Sequence, residues 1–316
     1  MLGYILRRTL YTIPIALGVT ILCFALVYLG PSDPLSAILP EDAPKELIDR
    51  IKKEYGLDKP LPVQYVIWLG KAVTGDLGTS IATRRHVIDE IPPAFFNSLL
   101  LAVLASCLAF TVGTVLGGIA GYFHGRPIDR AVTALAVTGV SVPHYWLSIV
   151  LVIIFSVEWD ILPSMGMGPD GSTNFSFTPE NLRHLILPTI ALSVIPMAIV
   201  ARTVRESVRE TMSQEFVQAL WAKGLTGRKI LGHVAKNAAP TVLAVMGLQM
   251  GYLLGGSILI ETVFAWPGTG LLLNNSIFSR DIPMLQGVIL VLALFFVTLN
   301  LLVDILQAVL DPRIKR

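Results

Sequence analysis

Apolar residues run in six long stretches along the chain, and most charged positions fall between these stretches rather than inside them. A helix that crosses about 30 Å of hydrocarbon at 1.5 Å per residue needs roughly 20 mostly apolar residues. Stretches that qualify lie near Tyr11–Gly30, Asn97–Tyr122, Ala131–Val157, His184–Ala201, Thr241–Thr262 and Pro283–Val309. The pattern predicts an all-α fold, a polytopic membrane protein with six transmembrane helices. An even number of spans returns both termini to one side of the bilayer. Between the first two spans, Glu41 to Ile51 places Leu47, Ile48 and Ile51 on one helical face behind an acidic cap and Pro44. A short amphipathic helix ending near Gly56 is expected there. The Pro60-Leu61-Pro62 turn, an apolar stretch around Val66 to Leu69 and the Gly75-Asp76-Leu77-Gly78 turn follow. Residues 1–94 thus form a first transmembrane helix with a cap segment on the outer face, and residues 95–312 form the transmembrane core, with a polar loop at 202–240.

Composition agrees with this reading. The 316 residues are 53% hydrophobic and 15% charged, against about 25% charged for a soluble domain, so the chain lacks the polar surface of a soluble body. Lys and Arg set the orientation. With both termini cytoplasmic, the short inner segments and flanks hold fourteen of them, and the two short outer loops hold only Arg183 and Arg280. The Arg7-Arg8 start precedes an apolar run too long for a signal h-region and followed by no small-x-small cleavage site, so the first helix is expected to be retained. No basic block marks a nucleic-acid footprint. Cys23 and Cys107 each sit in an apolar stretch and are expected to be packing residues.

Ionisable groups are scarce in the spans. Glu261 and Asp304 lie toward span ends, where snorkelling or pairing with Arg313 accounts for them, and His144 and His184 are expected at span edges. That scarcity argues against a proton-driven carrier. No His-Glu-x-x-His, Gly-x-Ser-x-Gly or phosphate-binding Gly-x4-Gly-Lys-Ser/Thr motif occurs, so neither a membrane enzyme nor a nucleotide site on this chain is indicated. No metal ligand set stands out. Gly113, Gly117 and Gly121, and again Gly247, Gly251 and Gly255, recur every fourth residue. Each stripe permits close helix approach, within the bundle or between subunits.

The loop before the fifth span carries the most specific pattern. Ser213 is a candidate N-cap, Glu215 falls in the first turn, and Gly224 stands where a helix C-cap glycine belongs, giving a helix of about ten residues. Thr226 is a candidate cap for a second helix running to Pro240. The first helix sets Phe216, Val217, Leu220 and Trp221 at helical spacing, much apolar surface for an element facing water. It either folds back on the bundle or is covered by another protein.

The run Glu215-Phe216-Val217-Gln218-Ala219-Leu220-Trp221-Ala222-Lys223-Gly224-Leu225, with Ile230, His233, Asn237 and Pro240, resembles the EAA-type coupling motif of inner-membrane permease subunits of ABC importers. More narrowly it resembles the dipeptide/oligopeptide/nickel branch, "B" permease type. Further points of resemblance are Arg7-Arg8, Gly30-Pro31-Ser32-Asp33-Pro34, Pro62-Val63-Gln64-Tyr65, Ser141-Val142-Pro143, Glu261-Thr262-Val263-Phe264-Ala265-Trp266-Pro267-Gly268 and Asp311-Pro312-Arg313. Two departures are the bulky Leu220-Trp221 after the alanine and a spacing from Asn237 to Pro240 one residue shorter than usual.

The resemblance implies a type I ABC importer permease fold whose short helix docks on a separate ATPase through Glu215, Phe216, Ala219, Leu220, Trp221 and Gly224. It also implies a homologous second permease, two ABC ATPase subunits that bind ATP and magnesium, and an extracytoplasmic substrate-binding protein. No cofactor is expected on this chain, and hydrolysis would belong to the ATPases. The implied cargo is a di- or oligopeptide, with nickel chelates or oligosaccharides as alternatives. Ser141, Gln249 and Asn300 are polar candidates to line the translocation path, interhelical hydrogen bonding being their other possible role.

Overall fold

The structure, a computed structural model, describes residues 2–29, 44–46, 58–173 and 175–310. The amphipathic helix expected between Glu41 and Gly56 falls outside these apart from 44–46.

Among the described residues the chain is helical with no strand, only the isolated bridge between Thr79 and His86. Helix α1 (Leu2–Leu29) is followed by α2 (Leu61–Val73), which contains the expected apolar stretch and lies against α1. Thr20 Oγ1 and Tyr65 Oη are 2.8 Å apart, and Phe24 packs beside Tyr65 and Trp68. Next come α3 (Val87–Tyr122), α4 (Pro127–Ser141) and α5 (His144–Val152), the last continued by a π-helical stretch, Ile153–Glu158. Helix α6 (Pro179–Met212) leads to the short α7 (Glu215–Ala222), then α8 (Gly227–Val263), α9 (Thr269–Phe278) and α10 (Ile282–Leu310).

Among the described residues five helices are long and apolar enough to cross a membrane, and the bent pair α4–α5 makes up to six. The third span, expected near Ala131 to Val157, is bent: its halves meet at 97°. Pro143 cannot donate an N–H and crowds its predecessor out of the helical region, so Val142 sits at φ −83°, ψ 121°. His144, expected at a span edge, consequently lies at the break. The pair still forms one crossing. Asp129 near its start bonds Arg205 in the second half of α6, while the loop after it bonds back to the opposite end, Gly166 N–H donating to the Phe264 carbonyl.

Helix lengths differ from the expected spans in one consistent way. Helix α6 begins at Pro179 and runs to Met212, and α8 begins at Gly227 and passes through Pro240. Hydropathy marks where the apolar slab ends, but polar residues such as Arg202 to Glu210 continue a helix readily once outside it.

Core packing centres on α3 and α6. A Cβ on Gly113, Gly117 or Gly121 would lie 2.7, 2.3 or 2.7 Å from the backbone oxygens of Met197, Ala201 and Arg205. This glycine stripe is thus consumed inside the chain, backbone against backbone. The α8 stripe divides: Gly247 and Gly251 face Val303 and Phe296 of α10, whereas Gly255 meets nothing within 4 Å. Cys23 is buried, but Cys107 is exposed on α3 and is not the packing residue expected.

The Gly247–Val303 and Gly251–Phe296 approaches also show that α8 and α10 run antiparallel, so the end of α10 lies at the same end of the bundle as α7. Arg8 pairs with Asp304 at 3.0 Å and brings the start of α1 there too. This is the lower end of the bundle. Asp304 thus pairs with Arg8; its expected partner Arg313 lies outside the described residues.

At the upper end, Glu261 is fully buried and not a snorkelling group. Its Oε1 accepts from Ser98 Oγ at 2.7 Å, and its Oε2 accepts from Gly270 N–H at 2.7 Å and Leu271 N–H at 3.3 Å. A carboxylate from the end of α8 thus caps the first turn of α9, where free N–H groups and the helix dipole favour a negative charge. Trp266, also fully buried, donates from Nε1 to the Asn97 carbonyl at 3.1 Å, and Asn97 Nδ2 donates to Pro267 and Thr173 carbonyls. The Glu261-to-Gly268 motif is a structural clasp. At the far side of α9, buried Asp281 accepts from Ser80 Oγ, Ala82 N–H and Met284 N–H, holding the 78–86 hairpin to α10.

Candidate coupling site and translocation path

Helix α7 projects from the lower end between α6 and α8. Its start differs from the expected cap: Ser213 closes α6, its Oγ donating to the Glu210 carbonyl at 2.8 Å, and Gln214 stands at the N-cap of α7. Glu215 occupies the first turn and is exposed, a position where its charge complements the helix dipole by about 0.3 to 1 kcal/mol. Thr226 does hold the N-cap position of α8, though without a side-chain cap bond.

The end of α7 matches the expectation closely. Gly224 has φ +77°. Its N–H donates to the Trp221 carbonyl at 2.9 Å, and Leu225 N–H donates to the Leu220 carbonyl at 3.2 Å. These two bonds form a Schellman motif, which consumes carbonyls the helix end would otherwise leave free. The chain can then reverse and enter α8 within a few residues.

The faces of α7 divide sharply. Val217 is 1% exposed and packs in a cluster with Val200, Val204 and Val208 of α6 and Ile230, Val234 and Val242 of α8. Phe216 and Leu220 pack at the edge of the same cluster and remain half-buried. Trp221 is 48% exposed, one ring edge lying over Gly227 at the start of α8. Glu215, Gln218, Ala219, Ala222, Lys223 and Gly224 are exposed. The helix is therefore keyed to the bundle by Val217 and presents a mixed face whose largest apolar group is Trp221.

The three candidate path residues sit on three helices. Ser141, exposed at the end of α4, donates to the Val137 carbonyl at 2.8 Å, and Asn300 Nδ2 donates to the Phe296 carbonyl at 3.1 Å. Both bonds run within the residue's own helix and tie no helices together. Gln249 is half-buried, and its Oε1 is buried without a partner among the described residues.

One lower-end group escaped the sequence reading. Asp129, on the first turn of α4, is 3% exposed and receives Arg205 Nε at 2.5 Å and Nη2 at 3.1 Å. Gly125 N–H donates to it at 2.9 Å, and His124 Nδ1 lies 3.1 Å away. Its partners lie 76 residues apart in sequence from it in the case of Arg205, so no local spacing announces the pair.

Residues 113–316 match the family described as the binding-protein-dependent transport system inner membrane component, and residues 1–96 match the N-terminal component of such systems. The chain belongs to that family. The permease is 39% identical over 332 residues to a dipeptide transport system permease protein of Alkalihalophilus pseudofirmus, with all of both chains covered. It is 37% identical over 316 residues to a glutathione transport system permease protein of Escherichia coli O6:H1, covering 100% of this chain and 99% of the relative. A dipeptide transport system permease protein of Escherichia coli K12 is 37% identical over 341 residues with the same coverage. Among solved structures, the inward-facing MetNI methionine ABC transporter matches with a TM-score of 0.58 and 16% identity, over 70% of the permease and 96% of that chain. That likeness bears on the fold, the type I importer permease arrangement. The permease is a multi-pass membrane component of an ABC importer.

Proposed function

We propose that this permease passes di- and oligopeptides across the membrane, drawing on ATP hydrolysed by separate subunits that grip α7. The observation that carries the coupling part is the division of α7: one buried valine anchors it, while Trp221, Ala219 and Glu215 face outward with Phe216 and Leu220 at the rim. A central aromatic anchor beside partly buried aliphatic side chains is the usual composition of an energetic centre at a protein interface. Its proposed occupant is a cleft of an ATPase subunit carrying ATP and magnesium, neither of which this chain is proposed to bind. A homologous second permease completes the channel, and an extracytoplasmic binding protein delivers cargo to the upper end.

The lower end is assigned to the cytoplasm, with both termini there, because the short segments at that end hold nearly all the Lys and Arg of the short loops. A short peptide is the preferred cargo because the relatives named above are dipeptide and glutathione permeases, glutathione being itself a tripeptide. A secondary carrier fits less well. Asp129, Glu261 and Asp281 are each tied up by several donors, which leaves them poorly suited to a proton relay.

The test is reconstitution with the companion permease, two ATPases and the binding protein in proteoliposomes. ATP-dependent uptake of a labelled dipeptide, with hydrolysis stimulated by loaded binding protein, is the expected result. Recovery of the chain without ATPase partners, together with ion-gradient-driven uptake, would overturn it.

Ser141, Gln249 and Asn300 are proposed to face the path, the unpartnered Gln249 carbonyl being suited to water or a peptide amide. Replacing each by Trp should slow uptake about ten-fold or more while hydrolysis continues. Unchanged uptake in all three variants would remove them from the path.

A further inference from the structure

Helix α4, the lower arm of the broken span, is weakly held by apolar contacts. Asp129 and Val132 are its buried residues, whereas Ile128, Leu135, Val137 and Val140 are exposed. Its contacts with α6 include one near its upper end, where a Cβ on Gly139 would lie 3.3 Å from both Ala198 and Val194, and one at its lower end between Asp129 and Arg205. The carboxylate there accepts two guanidinium nitrogens of Arg205 together with Gly125 N–H. Paired, planar bonds of this kind fix orientation as well as distance.

Arg205 directly follows Val204 in α6, about 100° round the helix from it, so the two side chains face different neighbours. Val204 and Val208 pack in the cluster that encloses Val217 of α7. On the adjacent face, Gly121 lets α3 touch the Arg205 carbonyl, just before the turn that supplies His124 and Gly125 to Asp129. A continuous packed route therefore runs from Val217 through Val204 and Val208 to Arg205, across the ion pair to Asp129, and along α4 to Ser141 at the break.

We propose that the Asp129–Arg205 pair is the positioning link that passes displacement of the coupling helix to the lower arm of the broken span. This rests on the coupling role proposed for α7. Neither residue touches cargo; they act by making α4 follow α6. Without the link, α4 keeps its contact at Gly139 but its lower end is free of α6, so motion of α7 no longer reaches Ser141.

The test uses the full complex in proteoliposomes with Asp129→Asn, Asp129→Glu and the exchange Asp129→Arg with Arg205→Asp. Uptake and ATP hydrolysis are measured on the same vesicles. For Asp129→Asn the expected result is hydrolysis still stimulated by loaded binding protein to within about two-fold of the parent, and cargo moved per ATP reduced about ten-fold. Asp129→Glu and the exchange should each recover part of that ratio, which a loss of general stability would not produce. Spin labels at Leu135 and Val115, in a background free of other cysteines, provide a readout independent of cargo. Their separation should change on ATP binding in the parent complex and stay fixed in Asp129→Asn. An unchanged transport ratio, or a label separation that still responds in Asp129→Asn, overturns the link. Should Asp129→Asn fail to assemble, the exchange variant decides, and an assembled exchange variant with no recovered ratio also overturns it. If the parent complex hydrolyses ATP and moves its labels but takes up no peptide, the cargo assignment fails while the link stands on the label data.

Discussion

Replacing Gly224 by Val should abolish uptake while leaving the permease inserted and assembled as a bundle. At φ +77° a residue bearing a side chain costs roughly 1 to 2 kcal/mol, and β-branching makes that conformation an outlier. A Cβ there would meet nothing within 4 Å, so the penalty is purely in the backbone and no neighbour can relieve it by moving. The chain is expected to leave the left-handed region, break the Leu225–Leu220 and Gly224–Trp221 bonds, and swing Trp221 off the start of α8. Val217 stays keyed, so α7 persists with a displaced end. Asn, which tolerates left-handed backbone, should preserve most activity, and Ala should fall between. The measurement is ATP hydrolysis of the reconstituted complex with and without loaded binding protein, alongside uptake. Full stimulated hydrolysis and normal transport in Gly224→Val would mean that α7 is not the coupling element.

The second large effect is expected at Gly117. Its absent Cβ would lie 2.3 Å from the Ala201 carbonyl oxygen and 2.8 Å from Val204 Cβ. The first of these is backbone, which cannot rotate aside, so any side chain must pry α3 from α6. Overpacking typically costs about 1 to 3 kcal/mol, and Gly117→Val should exceed that range because this seam is the centre of the bundle. Gly118, one residue on, meets nothing within 4 Å, so Gly118→Ala should be silent. The comparison is made by thermal unfolding and size-exclusion profile in detergent, where Gly117→Val should lose monodispersity first. Equal stability of the two variants would show that the helices are not in backbone contact at this point.

The apolar runs, the left-handed glycine and the family motif were legible in the sequence because each is local. A run of apolar residues reports its own transfer into the bilayer, and a glycine after a short amphipathic helix reports its own backbone freedom. Helix ends were less legible, since α6 and α8 continue beyond the hydrocarbon through residues whose polarity marks the slab and not the helix. Pro143 was visible as part of a motif, yet the 97° bend was not, because proline permits a kink of many sizes and its neighbours choose one.

Long-range polar pairing lay beyond the sequence altogether. Glu261 looked like an interfacial carboxylate until the fold set it on the N-terminus of α9 beside Ser98, a residue 163 positions away. Asp304 met Arg8, from the opposite end of the chain. Asp129 and Arg205 stand 76 residues apart, and no local spacing links them. The glycine stripe of α3 could equally have served a subunit interface, and only the position of α6 assigned it inside the chain. By itself, then, the sequence determined the apolar spans, the family and the short helix that Gly224 closes, since hydrophobic length and backbone preference act over a few residues. The tertiary structure decided which charges pair, which glycines touch and how the third span bends, because those depend on free energies that exist only once distant helices are packed together.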